Sequence, residues 1–328
     1  MTTPLHNISI NARLTLDLHS LNNEGGEGNQ IQTRMVNIVD AGGELHNVNA
    51  VSGDMFKHIQ AEHLFHLARS RQLPMCAGCA MFNANRINAD PDFIKRADAG
   101  KWNDAETITN LLRACAIDDI EGILITEGKR SVPRKSVIEF GWVVGVPEQV
   151  NTDSYFHVKY ANERGSERRS EDRESQQNTG ANLGQAIFHR PASSGVYAAV
   201  CHLELARIGF NDITQEYVIG EDERLQRAQA LLESVLYTFI QPKGAMRSAQ
   251  APHIVNVEGV VAMSQSSTPA PTVSPLKASY REEIDAITTA LAPISGDSVS
   301  VARFDDMGGL TEIMAYLVKN GMPSMMFG

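Results

Sequence analysis

An α+β fold built on one sheet follows from three features of the sequence. Between Ile8 and Leu18, the residues Ile8, Ile10, Ala12, Leu14, Leu16 and Leu18 alternate with mostly polar neighbours, the period of a strand with one buried face. In 222–240, Leu225, Ala228, Leu232, Val235 and Phe239 recur at three and four residues, the period of a helix that turns one stripe toward a core. The third feature is order: strand 8–18, helix 54–71, strand 138–146, strand 195–207, helix 222–240, strand 253–263. That β-α-β-β-α-β succession is the ferredoxin-like order, whose RNA-binding version presents a four-stranded sheet.

The first strand runs into HSLNNEGGEGNQ, where Asn22 and Asn23 offer amides to a nucleotide and glycines permit close approach. Neither a Walker loop nor G-x-G-x-x-G is present, so the segment reads as a mobile hairpin loop. Short strands at 33–39 and 44–51 lead to SGDMFKHIQAEHLFHLARSR, a helix capped by Ser52 or Asp54 whose first turn presents Lys57 and His58. His63, His66, Cys76 and Cys79 invite a metal reading. One C-x-x-C without a second paired ligand set is weak, however, so buried thiols, satisfied histidines and no metal or cofactor are expected.

Segment 73–137 mixes short helical pieces with Asn, Asp and Gly; its adjacent Asp118 and Asp119 could be proposed as metal ligands, but neighbouring carboxylates point apart in a strand, so a turn or cap role is expected. It ends in Lys129–Lys135, four cations with no acid between Glu127 and Glu139. Arg130, Arg134 and Lys135 are therefore candidates for a nucleic-acid backbone clamp, with a solvated turn as the plainer account. Strand 138–146 stops at Pro147. The polar stretch 151–190, including NERGSERRSEDRESQQNTGANLG, cannot pack a core and must project or be disordered until bound. Tyr155, Phe156, Tyr160 and Phe188 would brace its base and offer stacking faces.

After strand 195–207 and helix 222–240, Pro242 opens the loop QPKGAMRSAQAPH, with no acid between Glu233 and Glu258. The loop carries Lys243, Arg247 and His253, and Lys243, Arg247 and Ser248 beside a glycine suit a phosphate, with an ordinary αβ connection bearing solvated cations as the plainer account. A Pro/Ser/Thr-rich loop, SQSSTPAPTVSPL, follows strand 253–263, and helices near 277–291 and 311–319 would pack around the sheet.

The totals set bounds. The chain has 328 residues, 42% hydrophobic, with formal net charge -10 and pI near 5.5. It can bury a large core, and its acidity argues against whole-surface attraction to nucleic acid, leaving local acid-free patches to make any such contact. No run has the length of a membrane span and no secretory signal is visible, so a cytoplasmic protein with four reduced cysteines is expected.

RLTLDLHSLNNEGGEGNQ, SGDMFKHIQAEHLFHL, DDIEGILIT followed by RSVPRKSVIEFGW, and YTFIQPKGAMRSAQAPH resemble, in this order along nearly the whole chain, the DevR-type CRISPR-associated proteins. That family is the repeated backbone ("Cas-seven") subunit of type I Cascade complexes, within the RAMP superfamily. The resemblance implies an RRM-like palm with inserted fingers and a thumb β-hairpin: palm 1–72, fingers 73–137, palm strand 138–150, thumb 151–190 and the rest of the palm with C-terminal helices in 191–328. It implies a non-catalytic subunit that polymerises with neighbouring copies along a crRNA and presents it in segments for pairing with target DNA. The large subunit, the 5'-end-capping subunit and the guide-processing endonuclease would be further partners. Lys57, Lys243 and Arg247 would then hold guide phosphates, with Asn22 and Asn23 nearby.

Two other functions compete. Related type III subunits cut target RNA with a loop carboxylate, a place Glu24 or Glu27 would fill, although a lone carboxylate lacks the ligand set that metal-assisted cleavage needs. A DNA-binding regulator is disfavoured because no basic recognition helix is apparent.

Overall fold

The computed structural model describes residues 2–22, 25–27, 30–160, 185–244 and 251–327. At its centre lies β1 (Asn7–His19). The elements that follow are β2 (Met35–Val39), β3 (Leu45–Val51), α1 (Gly53–Ser70), α2 (Ala77–Ala80), α3 (Pro91–Ala99), α4 (Asp104–Ala114), α5 (Ala116–Glu121), β4 (Ile138–Phe140), β5 (Val143–Tyr160), β6 (Gln185–Leu203), α6 (Glu221–Ile240), β7 (His253–Ser264), α7 (Tyr280–Ser295), β8 (Val299–Phe304) and α8 (Met307–Asn320). The main sheet runs β8-β7-β1-β6-β5-β3-β2, with β4 also on β6. β1 pairs antiparallel with both β7 and β6, and β6 antiparallel with β4 and β5. The strand order β7-β1-β6-β4/β5 is the split βαβ arrangement that the sequence order predicts.

The even residues Ile8, Ile10, Ala12, Leu14 and Leu16 are buried in the main core with Phe56 and Leu64 of α1 and Leu232, Val235 and Phe239 of α6. Leu18 does not join them. It takes a left-handed backbone (φ 53) and is 44% exposed. Its N–H turns to Ser194 Oγ beside the register shift at Ser193/Gly195, so the bulge ends the alternation one step early.

The odd face of β1, expected to meet solvent, is covered as well. The Pro/Ser/Thr-rich segment after β7 crosses it: Asn7 Oδ1 accepts from Ala270 N–H at 2.7 Å, Asn11 Oδ1 from Val273 N–H at 3.1 Å, and Arg13 Nε donates to Pro275 O at 2.8 Å. Ser9 and Thr272 hydroxyls are bonded at 2.8 Å. An irregular backbone laid on a sheet must find partners for its polar groups, and the odd-numbered polar side chains of β1 supply them. Tyr280 and Ile284 of α7 close a second small core with Val260, Ala262 and Ala270.

The expected strand 138–146 splits into β4 and β5, and Pro147 does not stop it. After an irregularity between Gly145 and Val150, β5 pairs with β6 from Val150↔Gly195 out to Tyr160↔Gln185. Gly195 is required at that irregularity: its φ is 144 and a Cβ would lie 2.1 Å from Gln149 O. β6 accordingly starts ten residues before the expected strand, at Gln185 rather than Gly195. No described helix is long and apolar enough to cross a membrane.

Asp119 joins residues 73–137 to the palm. Its carboxylate accepts from Arg134 Nη2 at 2.6 Å, Arg227 Nη1 at 2.7 Å and Gly209 N–H at 3.0 Å, and all three side chains of this cluster are fully buried. Asp118 and Asp119, expected in a turn or cap, instead belong to α5 and send their carboxylates to different buried partners.

Candidate nucleic-acid interface

Because neighbouring palm elements alternate in direction, four chain ends meet at one end of the sheet. β1 arrives there at His19, α1 departs at Gly53, α6 arrives at Ile240 and β7 departs at His253. The chain after α6 lies directly on the chain after β1: a Cβ on Gly244 would come within 2.5 Å of Leu21 Cα, so only glycine permits the approach. Asn22 ties in the start of α1, its Nδ2 donating to Ala50 O and its Oδ1 accepting from Ser52 N–H at 3.3 Å. Ser52 caps the helix by accepting from Met55 N–H at 3.2 Å.

Asn22 is thus a buried pin between loops, with its carboxamide bonded inside the protein rather than free for RNA. Asn23, Arg247 and Ser248 lie outside the described residues. Lys243 is partly exposed beside a shallow recess of about 170 Å³ formed with Ile240, Pro242, Pro252 and Ile254. Glu24 also lies outside the described residues, as does the side chain of Glu27.

The β5–β6 hairpin leaves from the same end. Gln30, in the short strand Gln30–Gln32 of the Asn/Gly segment, pairs with His189 on its edge. Tyr155 on the hairpin is 44% exposed; the side chains of Phe156, Tyr160 and Phe188 are outside the described residues. Trp142, at the β4–β5 break, is 45% exposed with the Arg34 guanidinium 5.6 Å from its ring centre. Such a pair is a ready stacking face for a base.

A cleft of about 340 Å³ opens where the first turns of α1 meet the fingers, lined by Asp54, Lys57 and His58 on one side and Phe82, Asn83 and Arg86 on the other. Lys57 Nζ donates to Glu121 O at 3.0 Å and Ser136 Oγ at 2.7 Å. Burial holds this ammonium below its usual pKa, with the Glu121 carboxylate opposing. Glu121 is itself raised by burial, against the pull of Lys57 and Arg86. The His58 ring stands 5.6 Å from Phe82, and Arg86 Nη1 donates to Gly122 O at 2.5 Å. Arg86 escaped the sequence reading, yet a signal was there: no acid lies between Glu62 and Asp90.

The Lys129–Lys135 patch comes apart on folding. Arg134, expected on a nucleic-acid surface, is fully buried and its guanidinium is taken up by Asp119, Asp212 and the Phe210 and Arg207 carbonyls. Desolvation and internal pairing leave it nothing to offer a phosphate. Arg130 Nη2 pairs with Asp98 at 3.0 Å, and the exposed Lys135 Nζ stands 3.6 Å from Glu204.

Comparisons with known proteins fit this geometry. The profile of the family described as "CRISPR-associated negative auto-regulator DevR/Csa2" matches residues 10–285. The chain is 23% identical over 314 residues to the CRISPR-associated protein Cas7/Csa2 1 of Saccharolobus solfataricus, covering 90% of this chain and 91% of that protein. It is 24% identical over 277 residues to the CRISPR-associated protein Cas7/Cst2/DevR of Methanocaldococcus jannaschii, covering 80% and 82%. Its fold is similar to a chain of a solved "CRISPR RNA-guided surveillance complex, pre-nicking", with TM-score 0.53 and 12% identity over 95% of this chain and 99% of that one.

Proposed function

The chain belongs to the DevR/Csa2 family of CRISPR-associated proteins, and on that footing we propose that it is a non-catalytic, crRNA-binding backbone subunit of a type I Cascade surveillance complex. Copies stack along the guide, hold its sugar-phosphate strand and leave its bases to pair with target DNA. The observation that carries this reading is the meeting, at one end of the palm, of the β1 loop, the start of α1 and the acid-free loop after α6, all beside a projecting hairpin. A scaffold that serves any guide must bind backbone and shape, which calls for cations and backbone donors without base-edge readers. An acid-free loop at this end suits a chain of net charge -10, because it offers nucleic acid a local attraction that the chain as a whole does not. Each copy makes few contacts, and avidity along a shared strand supplies the affinity.

The test is Lys243→Glu combined with Arg247→Glu, read as affinity for several guide RNAs of unrelated sequence across a salt series. Affinity is expected to fall equally for all guides, and the log–log salt slope to shallow by about 1.4, at ~0.7 per lost phosphate contact on a single strand. A loss that varies strongly with guide sequence would assign the loop to base recognition and overturn the reading.

A further inference from the structure

Beneath the cleft, four buried donor groups face one another: one ligand atom from each of Cys76, Cys79, Cys115 and Asp118 lies within 4.8 Å of the others. They come in two matching pairs. Cys76 is the N-cap of α2 and accepts from Cys79 N–H at 3.3 Å; Cys115 is the N-cap of α5 and accepts from Asp118 N–H at 3.4 Å. Ala116 N–H donates to Pro74 O at 2.8 Å, which holds the pairs side by side. C-x-x-C and C-x-x-D, 39 residues apart by their first cysteines, thereby converge.

We propose that Cys76, Cys79, Cys115 and Asp118 form a structural zinc site that fastens α2 to α5 and sets the finger wall of the cleft. Distances support a single tetrahedral ion. Cys76 Sγ and Cys79 Sγ stand 3.3 and 3.5 Å from Asp118 Oδ2. Zn–S bonds of about 2.3 Å and a Zn–O bond of about 2.0 Å set tetrahedral S···O edges of about 3.5 Å. Asp118 Oδ1, the carboxylate oxygen that does not face the sulfurs, is buried with no hydrogen-bond partner among the described residues, so the carboxylate lacks the compensation a buried charge requires and a cation bound at Oδ2 would supply it. N–H bonds to two of the sulfurs are the outer contacts that orient thiolate ligands. Thiolates select zinc over calcium or magnesium, and a spread under 5 Å suits one ion better than a multi-iron cluster. Cys79 and Ile117 also line the cleft, so the clamp holds the wall that carries Phe82 and Arg86. The second pair is not the one the sequence offered: His63 Nε2 donates to Gln241 O at 3.0 Å, and His66 lies 3.9 Å from Glu62 on exposed α1 surface.

The test uses the full-length chain purified without chelator. Elemental analysis should find stoichiometric zinc, and cobalt exchanged into the site should give the intense visible bands of a tetrahedral thiolate complex. Asp118→Asn should release zinc to a chromogenic chelator far faster than wild type. Asp118→Cys, which completes a four-thiolate set, should retain zinc and strengthen the sulfur-to-cobalt charge-transfer band. Cys115→Ser should lose the metal; if it fails to fold, Asp118→Cys decides. Absence of metal, iron in place of zinc, a Cys76–Cys79 disulfide found by mass spectrometry, or cobalt bands unmoved by Asp118→Cys would each overturn the assignment.

Discussion

Two stretches of this chain, Lys129–Lys135 and the loop from Pro242 to His253, look alike in sequence: both are basic, both free of acid, both between core elements. Folding treats them oppositely. Acids from distant segments arrive at the first, so that Asp98, Asp119, Asp212 and Glu204 account for Arg130, Arg134 and Lys135. Lys243 of the second makes no ion pair among the described residues, and its neighbours in the recess are mostly apolar. A gap in acidic residues along the chain is thus no guide to a gap in space. What separates the two loops is where they sit: one is folded under the palm, the other lies at its open end.

The sharpest way to break that contrast is at Asp119. Asp119→Ala takes from two fully buried guanidiniums the buried carboxylate they share, leaving them only Asp212, Glu223 and carbonyls, and removing one partner of a buried ion pair costs about 3–5 kcal/mol. Arg134→Ala should cost a comparable amount by chemical denaturation, while the fraction that remains folded binds RNA as wild type does. An Arg134→Ala protein of normal stability with weakened RNA binding would return this arginine to the interface and erase the contrast.

A latent cation gives the next largest effect. His19, at the palm end where the loops meet, is buried against Tyr197 with ring centres 4.8 Å apart, and burial lowers its pKa from 6.5 to about 4. Because the folded state prefers the neutral ring, the stabilisation is fully present above pH 6.5 and is lost as pH falls toward 4, below which it is gone. The shift corresponds to about 3 kcal/mol at ~1.4 kcal/mol per pKa unit. Denaturation measured at stepped pH should show this loss in wild type and a flatter profile in His19→Gln. An unchanged profile would mean that the palm end accepts a positive charge as readily as Lys243's surroundings do.

The palm was legible because its strands and helices carry clean periods: helix 54–71 is Gly53–Ser70 and helix 222–240 is Glu221–Ile240. The hairpin's reach was not. Polar residues are mixed through 147–160 and 185–194 and run on into the polar stretch between them, so only Phe156, Val158 and Tyr160 keep a period of two and the two long strands were not legible. Asn7, Ser9 and Asn11 read as a solvent face because polar residues that bond a covering loop look the same in sequence as polar residues that bond water. Of the candidate site residues, Lys57 and His58 share one cleft, since they are neighbours on one helix turn. Arg134 could not be placed, because its fate depends on Asp119 and on Arg227, far along the chain. The thiol pair Cys76 and Cys79 lacked a visible mate for a simpler reason: the matching spacing at Cys115 ends in an aspartate.

The smallest effect separates the loops most directly. Lys135 is the one exposed cation among the three candidates of its patch, with 57% of its side chain accessible, and Glu204 opposite it is already held by Arg207 at 2.7 Å. A loose surface pair contributes about 0–1 kcal/mol, so Lys135→Ala should shift stability by less than about 0.5 kcal/mol. Its charge is offset by Glu204, so the salt slope of guide binding should also stay unchanged, whereas Lys243→Ala should shallow it by ~0.7. Equal shallowing in both variants would mean that the strand reaches past the acids and that proximity to Glu204 does not neutralise Lys135. The two basic loops would then belong to a single surface, and the opposition drawn from their ion pairs would fail.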